Sequence, residues 1–276
     1  MYRLVSKERR DRSVVSVAGR VRIGEGGFTV IAGPCAVESR EQIERTAAHV
    51  ARKGATMLRG GAYKPRTSPY SFQGLGDAGV EMIARASSAC GIPAVVEALS
   101  ERELPLLAQR VAMIQIGARN MQNFALLRAV AKAGLPILLK RGPAATLDEL
   151  LYAAEYIVLE GNEQIVLCER GVRGFDPHTR NLLDLAGALR LKELTHLPVI
   201  VDPSHATGRR SLVGPLAVAA AAAGLDGVMV EVHPEPETAR SDAEQALDFA
   251  MFDAMMEAIA RTGRLPAGKV SVAACR

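Results

Sequence analysis

The chain has 276 residues, enough for one large domain or two small ones, and its 49% hydrophobic and 23% charged content is ordinary for a soluble globular protein. It has no tryptophan and only 4% aromatic residues, so the core must be aliphatic. The formal charge of +4 is small, and no basic stripe alternates with aromatic side chains. We therefore expect no nucleic-acid partner, whereas anionic metabolites suit a cleft that gathers the cations.

The sequence also lacks the signals of export and of membrane insertion. The basic segment Met1–Arg12 has no apolar stretch of the kind that forms a signal peptide. The longest near-apolar run, residues 212–225, is 14 residues long, shorter than the roughly 20 that a membrane span needs. The four cysteines form no closely spaced pairs, which is typical of a reducing compartment. We predict a cytoplasmic protein with no membrane partner.

In chain order, the first predicted element is a small β-hairpin. Residues 13–27 contain alternating valines followed by the glycine-rich turn of residues 24–27. From residue 28 onward, short apolar runs alternate with longer segments of helical periodicity. The apolar runs predict eight strands, at Phe28–Ala32, Thr56–Leu58, Ala94–Val96, Met113–Ile116, Ile137–Leu139, Gln164–Leu167, Val199–Val201 and Gly227–Val230.

The segments between the strands read as helices with recognisable start signals. Ser100, with Glu103 three residues later, predicts a capping box, and Thr146 precedes an acidic first turn. The clearest helical periodicities are at Arg40–Arg52, Gln122–Lys132, Leu147–Leu159 and Leu182–Lys192.

Continuous apolar strands indicate burial on both faces, and therefore a parallel sheet with helices outside it. Eight strand–helix units in about 250 residues match a TIM (β/α)8 barrel better than an open doubly wound sheet. We predict an α/β fold with residues 1–27 as an N-terminal extension and residues 28–276 as the catalytic barrel. The hairpin in the extension is expected to cap the barrel's N-terminal end.

One loop stands out for its chemistry. Arg59, Lys64 and Arg66, with Thr67 beside them, follow the second strand closely, and the glycines and proline among them argue against a helix. Arginine forks bind carboxylate or phosphate through two hydrogen bonds, and lysine adds a mobile charge. The alternative is an ordinary solvated loop. The surrounding pattern favours a site for a small, multiply anionic substrate.

Polar side chains follow every predicted strand, where the active site of a barrel is built. In chain order they are Cys35, Arg59 with Lys64, Glu97, Arg119, Lys140, Arg170, His205 and Glu231, with Asp242 a little further on. Each taken alone also fits a buried thiol, a loop histidine or a solvated charge. So many ionisable groups at one rim, beside nearly uncharged strands, favour a function for the set.

Two chemical subsets can be separated in this rim. One supplies the sulfur, nitrogen and oxygen donors that suit a divalent transition metal: Cys35, His205, Glu231 and Asp242. Their spacing is not that of a zinc finger, so only a barrel would bring them together. The other subset is cationic: Arg59, Lys64, Arg119, Lys140 and Arg170. Converging cations repel one another unless an anion is bound, which predicts a substrate that carries phosphate and carboxylate.

With these residues placed, the chain resembles the 3-deoxy-D-arabino-heptulosonate 7-phosphate (DAHP) synthase family, in its compact type I-beta branch. The resemblance is carried by a set of motifs in a fixed order, and KPRTS together with DPSHATG makes this set specific for the family. The set comprises GPCAVES (33–39), RGGAYKPRTSPYSFQGLG (59–76), IGARNMQN (116–123), LLKRG (138–142), LCERG (167–171), DPSHATG (202–208) and VEVHPEPETARSDAEQA (230–246).

The resemblance implies a metal-dependent, aldol-like condensation of phosphoenolpyruvate with erythrose 4-phosphate, the first step of the shikimate pathway. It implies one divalent metal ion (Mn²⁺, Fe²⁺, Co²⁺ or Zn²⁺) on Cys35, His205, Glu231 and Asp242. By the same resemblance, the phosphoenolpyruvate site comprises Arg59, Lys64, Arg119, Lys140 and Arg170. Arg66 and Thr67 would hold the sugar phosphate. The catalytic residues would be Lys64, Cys35 and His205, with Lys64 hypothesised as the proton donor.

Only about 27 residues precede the first barrel strand, whereas some relatives carry an added regulatory domain. We therefore expect no intrinsic inhibition by tyrosine, phenylalanine or prephenate, although a separate partner protein could supply regulation. The family resemblance further implies a homo-oligomer, either a tetramer or a dimer.

Three alternatives compete with this interpretation. The first is 3-deoxy-D-manno-octulosonate 8-phosphate synthase, which uses arabinose 5-phosphate. Its corresponding loop resembles KANRSS rather than KPRTS, and its metal-independent form usually has asparagine in place of Cys35. The second is a Schiff-base aldolase that uses Lys140, which would leave the metal-type donors unexplained. The third is a non-enzymatic barrel, for which we would expect losses among the ligand residues.

Overall fold

The protein is described here by a computed structural model that covers residues 2–264. Residues 265–276 of the predicted barrel domain lie outside the described range. The described chain begins with the predicted hairpin, whose strands β1 (Val15–Val17) and β2 (Val21–Ile23) pair antiparallel. None of the helices in this range is long and apolar enough to cross a lipid bilayer.

Eight parallel strands follow and close on themselves, which confirms the predicted TIM barrel. They are β3 (Thr29–Gly33), β4 (Met57–Arg59), β5 (Ala94–Ala98), β6 (Met113–Ile116), β7 (Ile137–Lys140), β8 (Ile165–Glu169), β9 (Val199–Val201) and β10 (Gly227–Glu231). Closure comes from β10, which pairs with β9 on one side and with β3 on the other.

The helices lie in the connections between the strands. They are α1 (Arg40–Arg52), α2 (Asp77–Cys90), α3 (Leu104–Arg110), α4 (Phe124–Lys132), α5 (Leu147–Leu159), α6 (Leu185–Leu194), α7 (Pro203–Thr207), α8 (Arg210–Ala222) and α9 (Phe249–Ala260). Short 3-10 turns occupy Glu101–Glu103, Ala118–Asn120 and Pro236–Thr238. The capping box predicted at Ser100 is present, and Thr146, predicted only to precede an acidic first turn, forms a second one with Glu149.

All eight strands were correctly predicted, but several ends differ by a residue or two. Strands β4, β7, β8 and β10 run on to a charged residue (Arg59, Lys140, Glu169 and Glu231), whereas the predicted strands ended one residue earlier, or two residues earlier in β8. The ladder of hydrogen bonds joins backbone groups, so a polar side chain at the rim does not end the strand. This extension places the charged side chains directly on the barrel.

Two predicted helices begin later than expected because a side chain caps them. Asn123 accepts a hydrogen bond from the Leu126 N–H, so α4 begins at Phe124 rather than at Gln122. Asp184 accepts from the Gly187 N–H, so α6 begins at Leu185 rather than at Leu182. Both are the short polar residues that favour the N-cap position.

The hairpin closes the N-terminal end of the barrel. Val15, Val17 and Ile23 are fully buried in one cluster with side chains of the barrel interior, among them Ile31 and Met57. Outside that cluster, the Ser16 N–H donates to Gln164 Oε1 at 3.1 Å, just before β8 begins. The opposite, carboxyl end of the barrel is left for the site. The division of the chain at residue 27 stays a prediction.

Candidate active site

A cavity of about 670 Å³ lies at the carboxyl ends of the barrel strands. It is lined by all seven side chains predicted to bind substrate: Arg59, Lys64, Arg66, Thr67, Arg119, Lys140 and Arg170. Two of the predicted metal donors, His205 and Asp242, also line it. The other two, Cys35 and Glu231, are buried within its wall.

The four predicted metal donors form one cluster. Cys35, His205, Glu231 and Asp242 each offer a ligand atom, and these atoms all lie within 4.8 Å of one another. Cys35 Sγ lies 2.9 Å from Asp242 Oδ2, and His205 Nε2 lies 3.2 Å from Glu231 Oε1. One sulfur, one nitrogen and two carboxylates suit a divalent transition metal, so the residues present fit such an ion.

Asp202, which was not predicted, organises the histidine. It is fully buried at the N-cap of α7, where it accepts from the His205 N–H at 3.0 Å and contacts His205 Nδ1 at 2.7 Å. With Nδ1 donating to this carboxylate, Nε2 is left as the ligand atom that faces Glu231. The sequence does contain a signal for this contact. Asp202 precedes His205 by three residues and is followed by proline, a pattern typical of a helix N-cap.

The same Asp202 carboxylate accepts a hydrogen bond from Lys140 Nζ. Burial alone would raise the pKa of Asp202, but the charges of His205 and Lys140 hold it well below its usual range. The carboxylate therefore stays ionised and connects a cation of the cavity with a metal-donor residue.

Glu231 is positioned by two further side chains. It is fully buried, with Oε1 2.6 Å from Arg59 Nη1 and Oε2 2.6 Å from Gln245 Nε2. Burial acts to raise the pKa of Glu231, but His205 and Arg59 outweigh it, so the pKa is lowered. Gln245, itself fully buried, is another functional neighbour that sequence reasoning missed.

Cys35 lies between a cation and an anion. Burial, with Glu231 nearby, raises the pKa of the thiol to about 12. The protonated Sγ donates to Asp242 and accepts from Lys64 Nζ, which is 2.9 Å away. Burial would also raise the pKa of Asp242, but His205, the thiol and Arg180 together lower it. A metal ion bound here would displace the thiol proton.

Two of the arginines that line the cavity have donors without a partner among the described residues. Arg59 Nε and Arg66 Nη2 are buried and have no hydrogen-bond partner, and leaving such donors unpaired is costly. The cavity is also lined by Arg173 and Arg180, which were not predicted because they lie in the irregular segment between β8 and α6. Arg180 Nη1 donates to Asp242 Oδ1 at 3.2 Å.

A carboxylate paired with an amide lies on another wall. Glu97, at the carboxyl end of β5, accepts from Gln115 Nε2 at 3.0 Å, and both side chains line the cavity. An added Cβ on Gly117 would lie 1.9 Å from Glu97 Oε1, so this carboxylate sits directly against the backbone that follows β6. Sequence reasoning noted Glu97 at a strand end but did not assign it to the site.

Comparison with known proteins decides the family. The model of the DAHP synthetase I family matches residues 7–264. The chain belongs to the DAHP synthetase I family. It is 52% identical over 256 residues to the phospho-2-dehydro-3-deoxyheptonate aldolase of Thermotoga maritima, covering 93% of this chain and 76% of that one. The recognition of this enzyme family from its motifs is therefore confirmed.

Solved structures agree with this membership of the DAHP synthetase I family. The crystal structure of the Thermotoga maritima enzyme, described as a DAHP synthase, superposes with a TM-score of 0.91 at 50% identity, covering 94% of this chain and 76% of that one. A truncated form of the Thermotoga maritima enzyme gives a TM-score of 0.88 at 46% identity, covering 94% of this chain and 95% of that one.

A more distant sequence relative is named for a different product. The 2-dehydro-3-deoxyphosphooctonate aldolase of Acidithiobacillus ferrooxidans is 31% identical, covering 83% of this chain and 87% of that one.

Proposed function

We propose that this chain catalyses the metal-dependent condensation of phosphoenolpyruvate with erythrose 4-phosphate and water, which yields DAHP and inorganic phosphate. In this role it would carry out the first step of the shikimate pathway. The observation that carries the proposal is the four-donor cluster in the wall of a cavity lined by all seven predicted substrate-binding residues. The 52% identity to a DAHP-forming relative supports the same reaction.

The residues that would hold the metal are Cys35, His205, Glu231 and Asp242. A divalent ion held there, such as Mn²⁺, Fe²⁺, Co²⁺ or Zn²⁺, supplies Lewis acidity toward the aldehyde oxygen of the sugar phosphate. Arg59 and Gln245 orient the Glu231 carboxylate, and Asp202 orients His205. These contacts prepare the donor set before any ligand arrives.

The cations of the cavity would hold the substrates in a reactive arrangement. We assign the phosphate and carboxylate of phosphoenolpyruvate to Arg59, Lys64, Arg119, Lys140 and Arg170, which all line the cavity. We assign the sugar phosphate to Arg66 and Thr67, since Arg66 Nη2 is a buried donor without a partner among the described residues. Fixing both anions brings the reacting carbons together and lowers the entropic part of the barrier.

The reaction then proceeds in two stages. The C3 atom of phosphoenolpyruvate forms a bond to the aldehyde carbon, and the aldehyde oxygen takes up a proton. Water adds at C2 and loses a proton, which gives a hemiketal phosphate. The bond between C2 and the phosphate oxygen then breaks, the hydroxyl proton leaves with the departing phosphate, and a ketone remains at C2. Lys64 is our candidate proton donor, because its Nζ lies 2.9 Å from Cys35 Sγ and lines the same cavity.

The second candidate is octulosonate 8-phosphate synthesis from arabinose 5-phosphate, which the 31% identical relative favours. The KPRTS loop and the higher identity to the heptonate enzyme weigh against it. A Schiff-base mechanism is weaker still, because Lys140 Nζ is engaged by the buried Asp202 carboxylate. The homo-oligomer, a regulatory partner protein and the cytoplasmic location stay predictions.

The deciding experiment is phosphate release from phosphoenolpyruvate with either sugar phosphate, in Mn²⁺ and in excess EDTA. We expect turnover with erythrose 4-phosphate that EDTA abolishes. A preference for arabinose 5-phosphate would favour the second candidate and contradict the assignment of Arg66 and Thr67. Turnover that survives EDTA would refute the metal dependence.

A further inference from the structure

The loop that carries the sugar-phosphate residues, Pro65–Phe72, is held mainly by hydrogen bonds that its backbone carbonyls accept. The Ser71 N–H donates to the Ser68 carbonyl at 3.2 Å, and Arg66 Nε donates to the Phe72 carbonyl at 3.0 Å. Tyr70 at the tip is 97% exposed. From outside the loop, Arg119 donates to the Pro65 carbonyl at 3.3 Å, and Gln73 Nε2 donates to loop carbonyls, the shortest contact being 2.8 Å to Ser71. These hydrogen bonds hold the loop backbone, but none of them holds the Phe72 ring.

The contact that holds the Phe72 ring is made by Arg240. Its guanidinium carbon lies 3.8 Å from the centroid of the Phe72 ring, within the range of a cation–π interaction. Phe72 thus contacts two arginines: its ring stacks against Arg240, and its carbonyl accepts a hydrogen bond from Arg66. The position of Arg66 in the cavity therefore depends on where the Phe72 ring is held.

Arg240 is in turn anchored beside the metal donors. Its backbone N–H donates to Glu38 Oε1 at 2.8 Å, and Glu38 Oε2 lies 3.5 Å from His233 Nε2. Glu38 follows Cys35 by three residues, and Arg240 precedes Asp242 by two. Asp242 itself has a left-handed backbone, with φ of +54°, a conformation that its neighbours must hold in place. The segment that carries Arg240 is therefore well fixed.

We propose that the stacking of Arg240 on Phe72 is a positioning latch that holds Arg66 and Thr67 at the sugar-phosphate end of the cavity. The inference rests on the proposed function, because it takes the ligand of this loop to be the aldose phosphate. Arg240 and Phe72 do not line the cavity, whereas Arg66 and Thr67 do. Both latch residues are therefore positioning residues that act through the loop.

The test is the steady-state kinetics of Arg240→Ala and Phe72→Leu. We expect KM for erythrose 4-phosphate to rise about two- to five-fold, as an exposed cation–π contact predicts, while kcat and KM for phosphoenolpyruvate hold. Arg240→Lys and Phe72→Tyr keep the charge and the ring and should restore KM. The double variant should be no worse than either single variant. An unchanged KM, or equal rises for both substrates, would overturn the latch.

Arg45→Ala is a matched control. Arg45, in α1, forms an ion pair at 3.0 Å with Glu235, which lies on the same segment as Arg240. This ion pair does not involve the loop, so Arg45→Ala should leave both KM values unchanged. A rise in KM equal to that of Arg240→Ala would show a general effect of the segment and would refute the latch.

A second readout needs no turnover. At this loop trypsin can cleave after Lys64 or after Arg66. Cleavage after Lys64 is slow because Pro65 follows it, so the rate of loop cleavage measures how accessible the Arg66–Thr67 bond is. Arg240→Ala should speed this cut about two- to five-fold, and Arg240→Lys should not. An unchanged rate would refute the latch. If the wild-type protein fails to use erythrose 4-phosphate, the proposed function falls, and this digestion still decides whether the latch exists.

Discussion

At the scale of single residues, the site is organised by Asp202, a carboxylate that is not itself one of the predicted metal donors. Asp202 receives hydrogen bonds from Lys140 and His205, so one buried oxygen orients a cation of the cavity and a proposed metal donor together. The sequence pattern predicted the donors by their chemistry but could not show which neighbour holds each of them. Partners of this kind are recognised from distances.

Asp202→Asn should weaken metal binding by about 10- to 100-fold, the usual effect of removing the carboxylate that orients a ligand histidine. The amide keeps the size of the side chain but loses the charge that holds His205 Nδ1–H and Lys140. Isothermal titration with Mn²⁺ measures the change. Asp148→Asn, on the exposed first turn of α5, is the control and should bind metal as the wild type does. Wild-type affinity in Asp202→Asn would contradict the role of Asp202.

Lys64→Met should lower kcat by about 100-fold or more, the range expected when a general acid is lost. Metal affinity should change less than about tenfold, because the four donors remain in place. Turnover and metal titration on the same preparation separate the two effects. Equal losses of turnover and of metal binding would refute Lys64 as the proton donor and make it a structural partner of Cys35.

At the scale of elements, the carboxyl ends of the strands deliver the chemistry. The strand ends at Arg59, Lys140 and Glu231 were predicted one residue short, because hydrophobic patterning stops at the last apolar side chain while backbone pairing continues. The turn after β3 depends on Gly33, whose φ of +154° permits a close approach. A Cβ there would lie 2.0 Å from the Arg59 carbonyl. The close packing of β3 on β4 places Cys35 beside Lys64.

Gly33→Ala should therefore cost about 3 kcal/mol or more of folding free energy, because backbone atoms must move. Gly134→Ala is the matched control. Gly134 also has a left-handed backbone, but a Cβ there meets nothing within 4 Å, so the cost should be only about 1–2 kcal/mol. Denaturant titration measures both. Equal costs would show that the packing of β3 on β4 relaxes easily, contrary to the close approach.

At the scale of the whole molecule, closure of the barrel creates the site. Arg59 and Glu231 are 172 residues apart in sequence, yet Nη1 and Oε1 are 2.6 Å apart because β10 pairs with β3 and β3 with β4. At the opposite end, the hairpin fills the barrel and leaves the carboxyl end as the entrance to the cavity. The hairpin therefore contributes to stability rather than to chemistry.

Ile23→Ala should lower the free energy of unfolding by about 2–5 kcal/mol, since this fully buried side chain fills the N-terminal end of the barrel. Arg22→Ala, one residue earlier on the exposed face of the hairpin, should leave the unfolding transition unchanged. Thermal and denaturant unfolding measure both variants. If Ile23→Ala were as stable as Arg22→Ala, the hairpin would not be part of the barrel core.

The sequence by itself determined the barrel, its eight strands, the chemical type of the rim and the family, because these depend on apolar periodicity and on short ordered motifs. Only the tertiary structure decided the partners of the metal donors, the additional cations Arg173 and Arg180, and the stacking of Arg240 on Phe72. The physical reason is that hydrophobic burial is encoded locally in side-chain spacing. Hydrogen bonds and ion pairs across the cavity join residues that meet only when the last strand pairs with the first.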